Sequence, residues 1–369
     1  MKIVVVINSF GRGGAEKSTA SFMIHLSNKY KGYEIIGVYL HDRKYGAYDS
    51  LVNSNIPLYH IAQKGYVRKF FALLKLLKTL KPDVVHTVLF EANILTRFVS
   101  LFHKFYLVES LVNRSYASNR EFRTKSLKFK NNIIKWIDST TSFLVDHFHS
   151  VSDAVLEHYE SVYGKKISCT IIRRGRKAVP VQKSKYELGD ELRLFTIARQ
   201  EYQKGLIYLF EAINKSDKNV TLKIAGREGD ASKDLLDYIR LNKLESKIQF
   251  IGFKDDLSAY FLEADAYISN SFFEGSPGSV IEAMSYGLPL ILSDIPEHRE
   301  IAKAEVNTIF FQLKNTDEIK GVFDGIFNKE YSLSFLGKNS IRIFSESFVE
   351  ETIYAAYDLM YQRIKSQLK

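Results

Sequence analysis

Lys2-Ile3-Val4-Val5-Val6-Ile7-Asn8-Ser9-Phe10-Gly11-Arg12-Gly13-Gly14-Ala15-Glu16 opens the chain. Its first part is a continuous apolar, largely β-branched run. The run is too short for a signal-peptide core and passes at once into glycine, so it reads as a buried strand. The glycine-rich turn that follows feeds the helical spacing of Ser18 to Lys29. A strand, a glycine turn and a helix in that order begin a parallel α/β unit.

The same alternation continues outward. Ile35 to Leu40, Val84 to Leu89 and Phe105 to Leu111 read as further strands, and Lys69 to Leu80 and Asp153 to Tyr163 as helices. A second series begins at Leu192 to Ala198 and runs through Val220 to Ala225, Ile248 to Gly252, Ala266 to Ser269, Leu290 to Leu292 and Thr308 to Phe311. Between the two series, Arg173 to Asp190 is polar, basic and without period, as expected of a linker. The pattern therefore predicts an α/β protein of two Rossmann-like, doubly wound parallel-sheet domains facing a cleft. The expected domains are residues 1–178 and 179–347, with a C-terminal amphipathic helix (348–369) returning toward the first. In open parallel sheets ligands bind beyond the carboxyl ends of the strands.

With 369 residues, 46% of them apolar and 25% charged, the chain has an ordinary globular composition. The single Cys169 excludes an intramolecular disulfide and a cysteine-rich zinc module. No stretch reaches the ~18 apolar residues of a membrane span, and a cytoplasmic location is expected. The net charge of +10 is unevenly spread. Residues 1–185 hold 30 Lys/Arg against 13 Asp/Glu, and residues 186–369 hold 22 against 29. Such a split points to an anionic partner for the first half, either nucleic acid or a membrane surface.

Three segments carry chemistry. The amides of the loop from Gly11 to Gly14 are placed to cradle a phosphate, or the glycines serve only a tight turn. Glu16 stands where a dinucleotide fingerprint wants glycine, which weakens an oxidoreductase reading. In Ile197-Ala198-Arg199-Gln200-Glu201-Tyr202-Gln203-Lys204-Gly205, two cations flank a strand-to-helix turn. Lysine near a helix N-terminus opposes the macrodipole unless an anion lies between. In Ser269 to Pro289, Glu274 and Glu282 bracket Gly275, Ser276, Pro277, Gly278, Ser279 and Val280 at a helix start. Free amides there suit a phosphate, and carboxylates beside them accept from sugar hydroxyls. Ser279-Val280-Ile281-Glu282 also has the spacing of a capping box, in which Glu282 would satisfy only an N-cap amide. Both readings are open on these residues.

Together the Glu274 to Glu282 segment, the Arg199/Lys204 pair, Gly13-Gly14-Ala15-Glu16 and Pro82-Asp83-Val84-Val85-His86-Thr87 with Ala92-Asn93 resemble the GT-B retaining glycosyltransferases of family 4. The resemblance runs nearly end to end. It implies that Arg199 and Lys204 hold a donor diphosphate and act in catalysis with Glu274, which also contacts the transferred sugar. It further implies that Glu282 accepts from ribose, and that Gly13, Gly14, Phe253, Gly275, Ser276, Gly278, Ser279 and Val280 border a nucleotide-sugar. His86, Asn113 and Arg114 fall on the acceptor side. No metal and no resident cofactor are expected, and His147-x-His149 reads as a helix-surface pair.

Two stretches depart from the family. Glu109-Ser110-Leu111-Val112-Asn113-Arg114 lacks the usual histidine, with Asn113 in its place, and Arg173-Arg174-Gly175-Arg176 replaces the usual Asn-Gly-Ile-Asp. The activity implied is transfer of a sugar from a nucleotide diphosphate to a glycan or polyprenyl-linked acceptor, in surface polysaccharide or glycoconjugate synthesis. Other chemistry on a nucleotide-sugar, such as 2-epimerisation, is one alternative. A basic nucleic-acid-associated protein is another, but no recognition motif supports it, and nucleic acid is not an expected partner. An anionic membrane is expected to meet the basic first half, through Arg68 to Lys81 and through Arg114 to Trp136, placing the protein on the inner face of the cell membrane. The leucines of the first of these segments also suit a core-packed helix.

Overall fold

The structure is a computed structural model in which residues 1–44, 46–118, 120 and 124–368 are described. The chain divides into two compact units. One comprises Met1–Tyr116, Phe122–Gly175 and Glu351–Lys369, the other Ala117–Glu121 and Arg176–Glu350.

Among the described residues the first unit holds strands β1 (Lys2–Ile7), β2 (Glu34–Tyr39), β3 (Leu58–His60), β4 (Val84–Val88), β5 (Tyr106–Leu111), β6 (His147–Ser150) and β7 (Cys169–Ile171). They pair in the order β3-β2-β1-β4-β5-β6-β7, every pair parallel. Ile3 to Ile7 and Val84 to Val88 are buried on both faces, which is why these strands read as continuous apolar runs instead of alternating ones. On one face lie the Gly14–Lys29 helix and the C-terminal Glu350–Gln367 helix. Tyr354, Tyr357, Met360, Tyr361 and Ile364 of the latter enter the first unit's core. On the other face Leu73 and Leu77 of the Tyr66–Leu80 helix pack with Leu95 and Val99 of the Phe90–Ser100 helix.

The second unit repeats the plan with β8 (Leu192–Ile197), β9 (Val220–Ala225), β10 (Ile248–Gly252), β11 (Ala266–Ser269), β12 (Leu290–Ser293) and β13 (Thr308–Phe311). Their order is β10-β9-β8-β11-β12-β13, again all parallel. In each sheet the winding reverses at the centre, between β1 and β4 and between β8 and β11. That switch point is where such sheets leave a crevice at their carboxyl ends.

Two corrections arise here. His147 and His149 lie on β6, not on a helix, and His149 is buried. Phe122 and Arg123 of the basic segment lie outside the described residues.

Candidate functional site

In the second unit every donor-side residue named above follows the carboxyl end of a strand. β8 ends at Ile197, and a short 3-10 turn, Tyr202–Lys204, leads through Gly205 into the Leu206–Lys215 helix. Gly205 is left-handed at φ +57°, and a Cβ there would collide with the Asn270 carbonyl. Only glycine meets both conditions. The approach joins two loops, since Asn270 Nδ2 donates to Gly205 O at 2.8 Å, Phe272 N to Gln203 O at 2.9 Å and Gln203 Nε2 to Phe273 O at 2.7 Å.

The joined loops bring Lys204 to Glu274 in a largely buried ion pair. Burial alone would raise the Glu274 carboxyl, but Lys204 outweighs it and holds the group below the usual range. The Glu274 amide donates to Glu297 Oε1 at 3.2 Å. His298, fully buried, bonds through Nδ1 to Ser293 O at 2.8 Å, and burial lowers its pKa to about 4. Arg199 differs from Lys204. Its side chain is 63% exposed and pairs with Glu201 at 2.6 Å, so the two cations are not an equivalent pair.

The Gly278–Ser285 helix starts with Pro277 as N-cap, and no side chain caps it. Ser279 therefore lies inside the helix and the capping box does not form. Glu282 is instead half-exposed and pairs with Arg176 Nε at 3.7 Å. Arg176 also lies over Gly278, where a Cβ would collide with its guanidinium. A cation at a helix N-terminus is unfavourable alone, and this end combines a first turn that no side chain caps, the Arg176 guanidinium over Gly278 and the Glu282 carboxylate. Gly275, Ser276 and Val280 are buried around it, and Phe253 after β10 is stacked beneath the Arg227 guanidinium at 5.1 Å.

In the first unit, Gly13 and Gly14 stand at the start of the first helix, but their reason differs from the one expected. Gly13 has an ordinary φ of −72°. Its Cβ would collide with the Glu16 carboxylate, and one on Gly14 would lie 2.9 Å from Arg174 Nη1. The Gly13 amide is not open to a phosphate, because it donates to Glu16 Oε2 at 2.6 Å. His86 is a further correction. It is fully buried mid-strand, with Nδ1 against Tyr361 Oη at 2.5 Å and Nε2 against Ser110 Oγ at 2.7 Å, so it presents nothing to an acceptor. Asn113 Oδ1 accepts from Arg114 N at 2.9 Å in a local turn. A pocket at the ends of β4 to β7 is lined instead by Ser18, His149, Arg173, Arg174 and Tyr357.

Two family models match this chain, Glycosyltransferase Family 4 over residues 12–176 and Glycosyl transferases group 1 over residues 180–342. The chain belongs to the group 1 glycosyltransferases of GT-B fold. It is 31% identical over 187 residues to an uncharacterized glycosyltransferase of Methanocaldococcus jannaschii, a match covering 48% of this chain and just under half (46%) of that relative's length. It is 22% identical over 317 residues, 81% of each chain, to the N,N'-diacetylbacillosaminyl-diphospho-undecaprenol alpha-1,3-N-acetylgalactosaminyltransferase of Campylobacter jejuni. Among solved structures, HepE of Anabaena in complex with UDP and glucose superposes with a TM-score of 0.83 at 17% identity, covering 98% of this chain and 100% of the other. At that identity the likeness speaks for the fold.

Proposed function

We propose that this chain transfers a sugar, with retention of anomeric configuration, from a nucleotide diphosphate sugar to a glycan or lipid-linked acceptor in glycoconjugate or polysaccharide synthesis. The observation that carries the reading is the Gly278 helix start. There Arg176 and Glu282 stand in the same turn as uncapped amides, and the Lys204–Glu274 pair closes the preceding loop. Positive charge and amides suit a diphosphate, and carboxylates suit hydroxyls. Cationic groups near a departing diphosphate stabilise the charge that builds as the glycosidic bond breaks, which supports a reaction without a metal. The Campylobacter relative's name specifies a lipid diphosphate acceptor, and an acceptor of that kind would bring this chain to the inner face of a membrane. Among the described residues no helix is long and apolar enough to cross one.

The test is a thermal-shift panel of nucleotide-sugars on the wild type and on Glu282→Gln. A true donor at a hundred times its Kd adds about 2.7 kcal/mol of stability. The Gln variant, with no cap to lose, keeps its own Tm and loses most of the donor-induced shift. A full shift in the variant removes Glu282 from the site, and no shift with any nucleotide-sugar in the wild type refutes the reading.

A further inference from the structure

The Lys125–Thr141 helix is held to its unit at one end. Asp138, near its C-terminus, is buried against Arg97, whose Nη2 lies 2.8 Å from Asp138 Oδ1. Tyr116 Oη and Tyr163 Oη donate to the same carboxylate at 2.7 and 3.0 Å. Arg97 is itself fully buried and fixed by Glu109 on β5 at 2.5 and 2.7 Å. From its start to Asp138 only Asn131, Ile134 and Ile137 of this helix are partly buried. At 100° per residue these three and Asp138 define the inner side.

The apolar stripe of this helix points the other way. Phe129, Ile133 and Trp136, spaced i, i+4 and i+7, fall within about 60° of each other on the side opposite Asp138. Phe129 is 68% exposed, Trp136 67% and Ile133 44%. Core packing therefore does not account for them. Lys125, Lys128 and Lys135 flank the stripe on one side and Lys130 on the other, and residues 124–137 contain no Asp or Glu. A second aromatic group lies on the same face of the sheet, as right-handed crossovers require. Phe70 contacts Phe71 and Phe102 with ring centroids 5.2 and 5.5 Å apart, and the latter two are 62% and 63% exposed.

We infer that the outer side of the Lys125–Thr141 helix is a docking surface for an anionic bilayer, with Phe129, Ile133 and Trp136 entering the headgroup region and the four lysines meeting lipid phosphates. Exposed aromatics ringed by lysine, without an acidic residue, match the two attractions of a peripheral membrane helix. A second copy of this chain is the poorer occupant, because face to face the stripe would set lysine against lysine. The inference deepens the proposed transfer to a lipid-linked acceptor and rests on that reading for its purpose, but its test does not depend on the reading.

Trp136 is the only tryptophan in the chain and reports on the stripe directly. With the full chain, vesicles of equal parts phosphatidylglycerol and phosphatidylcholine are expected to shift Trp136 emission to the blue and carry the protein into the pellet at low salt. Pure phosphatidylcholine vesicles are expected to do neither. Reversing Lys125, Lys128, Lys130 and Lys135 to Glu lowers partitioning more than about a hundredfold, since each lysine near such a surface is worth roughly 1 kcal/mol. Phe129→Ser with Ile133→Ser weakens binding while nucleotide-induced thermal shifts stay as in the wild type, which separates this surface from the donor site. An unshifted spectrum with protein left in the supernatant overturns the proposal, as does equal binding to neutral vesicles. A lipid-free dimer that itself shifts Trp136 assigns the stripe to a second copy and overturns it too.

Discussion

Lys204 and Arg199 stand five positions apart in one loop, yet their surroundings give them different consequences. Lys204 is 16% exposed and paired with an equally sheltered Glu274, so Lys204→Ala leaves a carboxylate without its cation. Such a loss costs about 1–3 kcal/mol. Arg199 is mostly exposed, and its pair with Glu201 is of the kind worth about 0–1 kcal/mol. Lys204→Ala should therefore lower both Tm and nucleotide diphosphate affinity, and adding Glu274→Gln should recover much of the Tm but none of the affinity. Arg199→Ala should leave Tm within a degree or so and weaken binding by about 1.5–3 kcal/mol, the worth of one charge-assisted contact. Calorimetry with a nucleoside diphosphate decides. Equal Tm losses in the two variants would contradict the difference in burial, and unchanged affinity in both would exclude this loop from the donor site.

At the scale of elements, the strands that the sequence makes legible carry apolar, largely β-branched runs, most of them buried on both faces with β9 and β10 as the half-exposed exceptions, and their spans agree closely with the structure. Leu58–His60, His147–Ser150 and Cys169–Ile171 were not legible. They are three or four residues long, and His-Phe-His-Ser offers no β-branched run to read. The Lys204 loop, the Glu274 loop and the start of the Gly278–Ser285 helix stand out in the sequence because they sit at strand-to-helix junctions, where glycine, proline and charge punctuate it. Glu297 and His298 sit at a junction of the same kind, after β12 with Pro296 at the helix start, but lie far along the chain from Glu274, and Arg176 lies in the polar stretch between the two series, so only tertiary contact shows that they meet Glu274 and Gly278. His86 is assigned to the acceptor side by the family resemblance alone, and nothing in a strand buried on both faces marks in the sequence which side chains are sealed inside. The junction itself can be tested at Gly205. Gly205→Ala forces a left-handed φ on an L-residue and pushes against the Asn270 backbone, and should cost about 2 kcal/mol or more. Because Gly205 holds the Lys204 loop to the Asn270–Glu274 loop, the same variant should lose donor affinity even where it remains folded at the assay temperature. Denaturant melts and titration of one preparation check both, and a stable variant with wild-type affinity would show that the two loops need no such weld.

Across the whole molecule, three fully buried histidines tie stability to pH. His86, His149 and Ser110 form one chain, with Ser110 Oγ 2.8 Å from His149 Nδ1 and His149 Nε2 3.2 Å from Ile172 O. A consistent proton order runs from Tyr361 through His86 and Ser110 to His149 with both rings neutral. Burial lowers the pKa of His86 well below its ordinary value, and those of His149 and His298 to about 4. In the unfolded chain these groups titrate near 6.5. Between about pH 6.5 and 4 the unfolded state thus binds more protons than the folded one, so stability falls as pH falls, by up to about 1.4 kcal/mol per pH unit for each histidine. Glu274, held low by Lys204 against its burial, acts with the same sign below its ordinary range. Glu109 opposes them, since burial raises its carboxyl even beside Arg97, and a raised acid gains relative stability as pH falls. His147 and His158, whose partial burial also lowers them, the latter to about 4, add to the three, and against one raised carboxyl they leave a net loss toward acid. Equilibrium denaturant melts from pH 7 to pH 4 should show that decline, and His298→Gln should reduce its slope without moving the vesicle binding of the first unit. A stability that is flat or rises toward pH 4 would mean that the buried rings are already charged in the folded protein.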